Sequence, residues 1–442
     1  MNTITKIKKQ IVDIKTYGFS ELFRKLHLLI KIFIRIPIDI VAILPCLIIR
    51  LISPWLIVRI QRLPAENFGE FVWRTSIYSC KKKYKIDSLA KKYVDLLYIH
   101  HNTKVYNKQI AKMWKRKFNF FSSYLLDPIN RVNKLIPGWK KYTIDALSIR
   151  ENDINNLFEK CQPLDFTSEE EIYGKKILSK FGLKDTDKFV CLAVRDGEYQ
   201  LKKLSARYRN WSYHDYRHTD IDKFILAAEE ITKRGYYVFR MGVVVEKKFN
   251  LENPKIIDYA NSKLRSDFMD IYLGAKCSFC VSTGFGFDRV PYVFAKPLVL
   301  LTQPLGWTYS HSEKFLLMTK HHFLKKEKRE LSLSEIFNYG LAYIRDTKIL
   351  EKKGIELVDL SSEEIKDAVI EMIENLKPNK HSRIEDEELQ KTFKNLYAYN
   401  IKRNNDSEEK NDYFYRFRNK LHGQIRSRYS TKFLRENKNW LR

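Results

Sequence analysis

Glycine is scarce in this chain, 15 of 442 residues, and no Gly-, Ser- or Pro-rich tract marks a flexible linker. Cysteine is scarcer still: the six, at 46, 80, 161, 191, 277 and 280, sit mostly inside apolar runs. That distribution excludes a disulfide framework and predicts reduced, buried thiols in a cytoplasmic setting. Cys277 and Cys280 form a CxxC, yet no second pair or His cluster accompanies them, so no metal site is expected there. Long uncharged runs are missing too. The richest apolar segment, residues 28 to 60, has its longest uncharged stretch from 40 to 49, well short of the roughly 20 residues that span a bilayer. It lacks a small-residue cleavage site of the secretory kind. Acidic residues are in the minority, 53 against 81 Lys and Arg, for a net charge of +28. A field of that sign attracts polyanions: nucleic acid, anionic lipid or phosphorylated small molecules. The charge is diffuse and no nucleic-acid module signature is present, so nucleic acid is not expected as a partner.

What is present is core-building material, 44% hydrophobic and 14% aromatic residues, in a chain long enough for two domains or one large one with appendages. Residues 1–54 are basic and apolar. Lys6, Lys8, Lys9, Lys15, Arg24, Lys25 and Lys31 precede or open the apolar run, which Arg35, Asp39, Arg50, Arg59, Pro37, Pro45 and Pro54 punctuate. It reads as a monotopic segment in the headgroup zone of an anionic leaflet, or as an amphipathic helix packed on the protein's own core. From 55 onward strand-like patches (56–60, 94–100) alternate with helix-like ones (67–80, 107–118), the signature of βαβ units and a parallel sheet. Thr167 and Glu170 form a capping box that opens a helix stopped by Gly182, which places a boundary near 165. Strands are predicted at 188–196, 236–242, 255–260, 277–281 and 298–302, and helices at 221–234 and 267–275. The expected division is an N-terminal domain over 55–165, a C-terminal domain over 166–380, and a charged helical tail over 381–442 that returns to the first domain or touches the membrane surface.

The stretch VSTGFGFDRVP, 281–291, gathers Ser282, Thr283, Gly284, Gly286, Asp288 and Arg289 directly after an apolar strand. Glycine there permits close backbone approach, Asp288 is placed to cap a short helix with Pro291 in its first turn, and a strand–loop–helix start suits an anion such as phosphate. No Gly-Lys-Ser/Thr follows, so it is not a Walker loop, and Arg289 replaces the third glycine of a dinucleotide fingerprint. Alone, it is equally readable as a tight structural turn. Three further clusters lie at strand ends or helix starts, where open parallel sheets bind ligands. VRDGEY supplies Arg195, Asp196 and Tyr199, and its guanidinium suits a bidentate clamp on a pyrophosphate. FRMG supplies Arg240 and Gly242, and RSDFMD sets Arg265, Ser266, Asp267 and Asp270 at a helix start. Singly, each reads as a cap or surface ion pair; together they favour a phosphate-bearing ligand.

Between them lies YRNWSYHDYRHTDIDKF, 208–224, too polar for core and too aromatic for a linker. It reads as a cleft wall carrying His214, Asp215, Tyr216, Arg217 and Asp220, or as a loop held by its own Tyr hydroxyls and Asp-Arg pairs. Earlier, Glu66 and Glu70 flank Gly69 after the strand 56–60. They serve either as a general base toward an acceptor hydroxyl or simply as acids favoured by the dipole of a first helical turn. The Asp-x-Asp pairs at 185/187 and 220/222 precede a strand and open a helix rather than ending a strand, so no required divalent ion is expected.

These stretches, with NPKIIDYANSKLRSDFMDIYLGAKCSFC before the glycine loop and the late GIELVDLSSEEI, resemble a family of bacterial glycosyltransferases associated with surface polysaccharide. The likeness covers most of the chain from about 55 onward and is dense between 188 and 305. More remotely, the Val-Arg-Asp strand end and the 266–291 block are similar to the donor-site motifs of fucosyltransferase-like enzymes of GT-B architecture. The resemblance implies an α/β, GT-B-like fold of two Rossmann-like domains facing across a cleft, with the donor held by the C-terminal one. It implies metal-independent sugar transfer without a cofactor other than the nucleotide-sugar substrate, Arg195 on the diphosphate, and Ser282, Thr283 and Gly284 on the donor's phosphates or ribose. Where the family's first-domain loop reads Ile-Gly-His, this chain has Phe68-Gly69-Glu70, so Glu70 replaces the His as base or the role falls elsewhere, as on Asp215.

The expectation is therefore a peripheral enzyme on the inner face of the cell membrane. It would move a sugar from a nucleotide-sugar donor to a hydroxyl of a lipid-linked or cell-surface glycan acceptor, as in capsule, O-antigen or lipooligosaccharide. The competing classes are a non-catalytic polyanion binder and an inactive paralogue that scaffolds a glycan-synthesis complex.

Overall fold

A computed structural model describes residues 18–86, 91–144, 147, 153, 156–203, 212–301, 305, 312–344, 346–378, 383–406 and 425–442. Lys6, Lys8, Lys9 and Lys15, positions 208–211 of the aromatic loop and 407–424 of the tail lie outside the described residues. The chain divides into two compact units, one of Met1–Leu63, Ser88–Thr103 and Phe118–Ser148, the other of Pro64–Asp87, Lys104–Lys117 and Ile149–Arg442.

In the first unit the apolar run forms one helix, α1 (Phe19–Leu51), which continues through Pro37 and Pro45. Two of its charged interruptions turn onto the unit itself: Asp39 pairs with Arg131 at 2.6 Å, and Arg50 donates to Asn133 Oδ1 at 2.9 Å. A narrow seam, Ala42 and Cys46, enters a core with Val58, Ile60, Tyr98, Leu126, Ile129 and Val132. The helix therefore packs on its own protein, yet Phe33, Val41, Leu44 and Leu51 remain exposed. No helix among the described residues is long and apolar enough to cross a membrane. Beneath α1 and the helix Ser123–Asn133, strands β1 (Ile57–Arg62) and β2 (Tyr93–Tyr98) pair in parallel, Ile57 opposite Tyr93 through Arg62 opposite Tyr98. Among the described residues this sheet has two strands, fewer than the Rossmann-like sheet the resemblance implies. The helices that follow β1 and β2 in the chain, α2 (Phe68–Lys83) and Lys108–Lys117, belong to the second unit instead.

The second unit is built on β3 (Phe189–Ala193), β4 (Tyr237–Arg240), β5 (Ile256–Ile257), β6 (Phe279–Ser282), β7 (Leu298–Leu301), β8 (Phe315–Met318) and a late strand, β12 (Arg428–Tyr429). They form one sheet in the order β12-β8-β7-β6-β3-β4-β5, every neighbouring pair parallel. All residues of β3, β6, β7 and β8 are buried. That is why the sequence shows continuous apolar runs there rather than alternation. From β3 to β8 the order is that of a doubly wound, dinucleotide-binding sheet, and the winding reverses between β3 and β6. The described part of the tail joins the second unit. Its strand β12 extends the edge at β8, Gln390 brackets Tyr429 at 2.7 and 3.0 Å, and Tyr429 packs against Trp440 and Phe433. Backbone pairing and ring burial fix it there. All six cysteines are free and buried.

Two local features carry testable consequences. The capping box forms at Thr167 and Glu170, and in its helix Gly174 lies under the ring of Tyr272, 2.3 Å from where a Cβ would sit. Tyr272 is held by Glu171 at 3.2 Å and by the rings of Phe268 and Phe166. Gly174→Ala therefore lowers stability by about 1–3 kcal/mol through overpacking, despite alanine's better helix propensity, and the urea midpoint reads it.

A second, antiparallel sheet joins β9 (His321–Leu324), β10 (Arg329–Glu330) and β11 (Ile355–Val358). In it His321 places Nδ1 2.8 Å from Glu330 and Nε2 3.0 Å from Glu364. Burial disfavours its charge, but the two carboxylates outweigh burial and push its pKa up to about 10. A pKa raised above the unfolded value gives stability that is complete below about pH 6.5 and lost as pH rises toward 10. Unfolding free energy accordingly falls by about 2–4 kcal/mol between pH 7 and 10, and His321→Gln flattens that slope.

Candidate functional site

The switch point is closed by hydrogen bonds between segments far apart in sequence. The Arg195 N–H, just beyond β3, donates to Thr283 Oγ1 at 2.8 Å, and the Arg195 carbonyl accepts from the Thr219 N–H at 3.1 Å. At the end of β6, Ser282 Oγ accepts from the Gly284 N–H at 3.0 Å, and the Gly284 carbonyl accepts from the Arg217 guanidinium. Gly284 has φ +83, a conformation that costs other residues strain. Arg195, Arg217, Ser282, Thr283 and Gly284 are thus brought together.

Two residues that the sequence did not single out complete this wall. Lys320, just past β8, donates from Nζ to the His218 carbonyl at 2.6 Å and pairs with Asp359 at 2.5 Å. Burial lowers the Lys320 pKa, while Asp359 opposes that shift. The His218 ring lies against Gly197, its Cε1 3.2 Å from where a Cβ would stand. Burial first, then the Arg195 charge, lower the His218 pKa to about 4 against the pull of Asp215, so the ring is neutral at physiological pH. His218 had a signal in the polar, aromatic loop; Lys320, in a Thr-Lys-His-His stretch, had none.

The loop beyond Gly284 differs from expectation. Asp288 does not cap a helix: its backbone is already helical, with φ −59 and ψ −18, and its carboxyl accepts from Ser282 Oγ at 3.3 Å. Buried at 2% exposure, its pKa rises to about 6 through desolvation, opposed by Arg289 and Arg217. The helix that follows, Arg289–Val293, is too short for a strong N-terminal dipole. Gly286 makes the close backbone approach its residue type suggested, but toward Gly69 of α2: a Cβ on Gly69 would stand 3.0 Å from Gly286 Cα. That contact seats α2 against the glycine loop, with Arg289 over the ring of Trp73 at 4.1 Å. Glu70 follows Gly69 in the first turn of α2, its N–H bonded to Asn67 Oδ1 and its carboxylate 2.5 Å from Arg74.

The remaining predicted residues shape the surroundings. Arg240, 1% exposed at the end of β4, bonds Asp258 at 3.3 Å and lies 3.8 Å from Asp196. Asp196 also accepts from the Glu198 and Glu246 N–H groups at 3.2 and 2.9 Å. Gly242 has no room for a side chain, since a Cβ would lie 2.5 Å from Val245. Ser266 caps the helix Asp267–Lys276, and Asp267 accepts from the Lys108 N–H at 2.8 Å. Asp270 takes the Tyr259 hydroxyl at 2.8 Å, and burial raises its pKa to about 6. Asp220 caps the turn Ile221–Phe224 and pairs with Lys247 at 2.7 Å. Tyr199 is partly buried, its pKa raised to about 12 by desolvation and by Tyr106. Tyr216 is buried with no partner for its hydroxyl, and Asp215, exposed, lies 3.6 Å from His218. Among the described residues no three His, Cys, Asp or Glu side chains are grouped to hold a metal ion.

No protein-family model and no curated protein matches the chain. Among solved structures it is similar to a glycosyl transferase family 9 protein from Veillonella parvula DSM 2008, at 11% identity over 72% of this chain and 97% of that one, TM-score 0.40. It is also similar to the E. coli ADP-heptose lps heptosyltransferase II, at 12% identity over 59% of this chain and 90% of that one, TM-score 0.30. The overlay is partial in both cases.

Proposed function

We propose that the chain is a glycosyltransferase that holds a nucleotide-sugar donor at the carboxyl ends of β3 and β6 and passes the sugar to a hydroxyl of a lipid-linked or cell-surface glycan. The observation that carries this reading is the meeting of Arg195, Arg217 and the Ser282–Thr283–Gly284 loop at the reversal of a doubly wound sheet, the place where such sheets bind nucleotides. As the bond to the sugar breaks, charge develops on the departing diphosphate. Fixed cations stabilise it without reorganising. Arg195 and Arg217 supply that charge, Tyr199 and Tyr216 wall the nucleotide, and Glu70 or Asp215 accepts the proton of the acceptor hydroxyl. Arg240, Gly242, Asp196, Asp220, Ser266, Asp267, Asp270, Gly286, Asp288 and Arg289 hold these groups in position. With cations supplied by the protein, turnover persists in the presence of a chelator.

Membrane attachment belongs to the same proposal. The exposed apolar side chains of α1 and the net charge of +28 suit an anionic leaflet on the cytoplasmic side. The protein then floats with phosphatidylcholine–phosphatidylglycerol vesicles and not with phosphatidylcholine alone, and Leu44→Glu weakens the association.

The deciding experiment is thermal shift with UDP, GDP, ADP and CDP and their common sugars, followed by turnover with the best donor. Stabilisation by one nucleoside diphosphate, matched by its sugar, supports the reading. No stabilisation by any of them overturns it.

A further inference from the structure

Residues 216–219, at the end of the turn Ser212–Arg217 and just after it, are tied alternately to two parts of the second unit. Arg217 and Thr219 are tied to the switch point: the Arg217 guanidinium donates to the Gly284 carbonyl, and the Thr219 N–H to the Arg195 carbonyl at 3.1 Å. Tyr216 and His218 are tied to residues beyond β8 instead. The Tyr216 N–H donates to Thr347 Oγ1 at 3.1 Å, and the His218 carbonyl accepts from Lys320 Nζ at 2.6 Å. Asp359, just past β11, joins this second set: one oxygen pairs with Lys320 at 2.5 Å, and the other lies 3.5 Å from Lys223 in the following turn Ile221–Phe224.

The anchors are themselves fixed. On one side of Lys320 the Thr319 N–H donates to the Tyr429 hydroxyl at 3.2 Å, and on the other His321 is held by Glu330 and Glu364 at 2.8 and 3.0 Å. Lys320 therefore springs from a rigid connection between β8 and β9, with 12% of its side chain exposed and its ammonium engaged by a carbonyl and a carboxylate. A charge-assisted bond of that kind is stronger than a neutral one. Made at residue 218, it restrains both the arginine before it and the Thr219 N–H after it. A wall without that tie has to be ordered when a ligand binds, and the ordering weakens binding.

We propose that Lys320 is a positioning residue: with Thr347 and Asp359 it straps the 216–219 wall from behind and so holds Arg217 in place for the diphosphate of the donor. The identity of the ligand rests on the transferase reading; the strap does not.

The test is amide hydrogen exchange by mass spectrometry on the full chain, with calorimetric titration of UDP, GDP, ADP and CDP beside it. In Lys320→Met, peptides covering 212–220 exchange about 10-fold faster, while peptides from β3 and β6 keep their wild-type rates. Binding of the nucleoside diphosphate that the wild type prefers weakens about 5- to 50-fold, the cost of ordering one or two side chains. Made on Arg217→Ala, the same substitution weakens binding by a further factor of about 2 at most, because the two residues act through one route. Thr347→Val is a milder cut that keeps every charge; it too speeds exchange at Tyr216, and it decides the matter should Lys320→Met not fold. Wild-type exchange over 212–220 in either folded variant overturns the proposal. So does faster exchange that spreads through β3 and β6, which would make Lys320 a support of the whole sheet. Fully additive losses with Arg217→Ala overturn it as well, since Lys320 would then meet the ligand independently. If no nucleoside diphosphate binds the wild type, the transferase reading falls and the exchange rates alone decide the strap.

Discussion

Arg195→Ala abolishes stabilisation by the nucleoside diphosphate and lowers kcat/KM by about 10²–10³-fold, the usual cost of removing one preorganised group from a developing charge. The backbone of residue 195 is fixed from both sides, by Thr283 Oγ1 at 2.8 Å and by the Thr219 N–H at 3.1 Å. The loop therefore keeps its path when the side chain is truncated. Arg195→Lys keeps the charge but loses the planar fork, and recovers only part of the activity. A second readout separates loss of charge from loss of structure. The Arg195 charge is one cause that lowers the His218 pKa to about 4, so in Arg195→Ala the His218 resonances titrate at higher pH. Full retention of nucleotide stabilisation in Arg195→Ala sinks the assignment of the diphosphate to this arginine.

The strands of the second unit were legible because parallel strands buried on both faces leave uninterrupted apolar runs, as at Phe189–Ala193 and Leu298–Leu301. The capping box at Thr167 and Glu170 was legible for the opposite reason, being complete within four residues. What escaped depends on contacts that no local pattern records. Gly286 reads as room for a ligand until Gly69, more than 200 positions earlier, is found against it. Asp288 has the residue type and spacing of a helix cap, yet Arg289, Arg217 and Ser282 draw its carboxyl into the interior. Lys320 gains its place only because β8 ends where the 212–219 segment passes. The same holds in the first unit, where Asp39 and Arg50 look like bars to burial of α1 but are absorbed by Arg131 and Asn133.

Arg240 carries the largest structural consequence. At 1% exposure it cannot offer its guanidinium to a ligand in bulk contact, and it binds the carboxyl ends of three strands together through Asp258 after β5 and Asp196 after β3. Burial lowers the pKa of such a guanidinium, and the two carboxylates offset that shift. Arg240→Met keeps most of the volume but removes the cation that Asp258 and Asp196 share, which costs about 3–5 kcal/mol. For a unit of this size that is a fall in Tm of roughly 10 °C. Adding Asp258→Asn, which removes one of the two carboxylate charges, recovers part of the loss. Because Asp196 also anchors the N–H groups of Glu198 and Glu246, its release loosens the turn that carries Tyr199. The double variant thus recovers stability before it recovers nucleotide binding. An Arg240→Met protein with wild-type Tm and a reduced kcat alone would instead place Arg240 on the substrate.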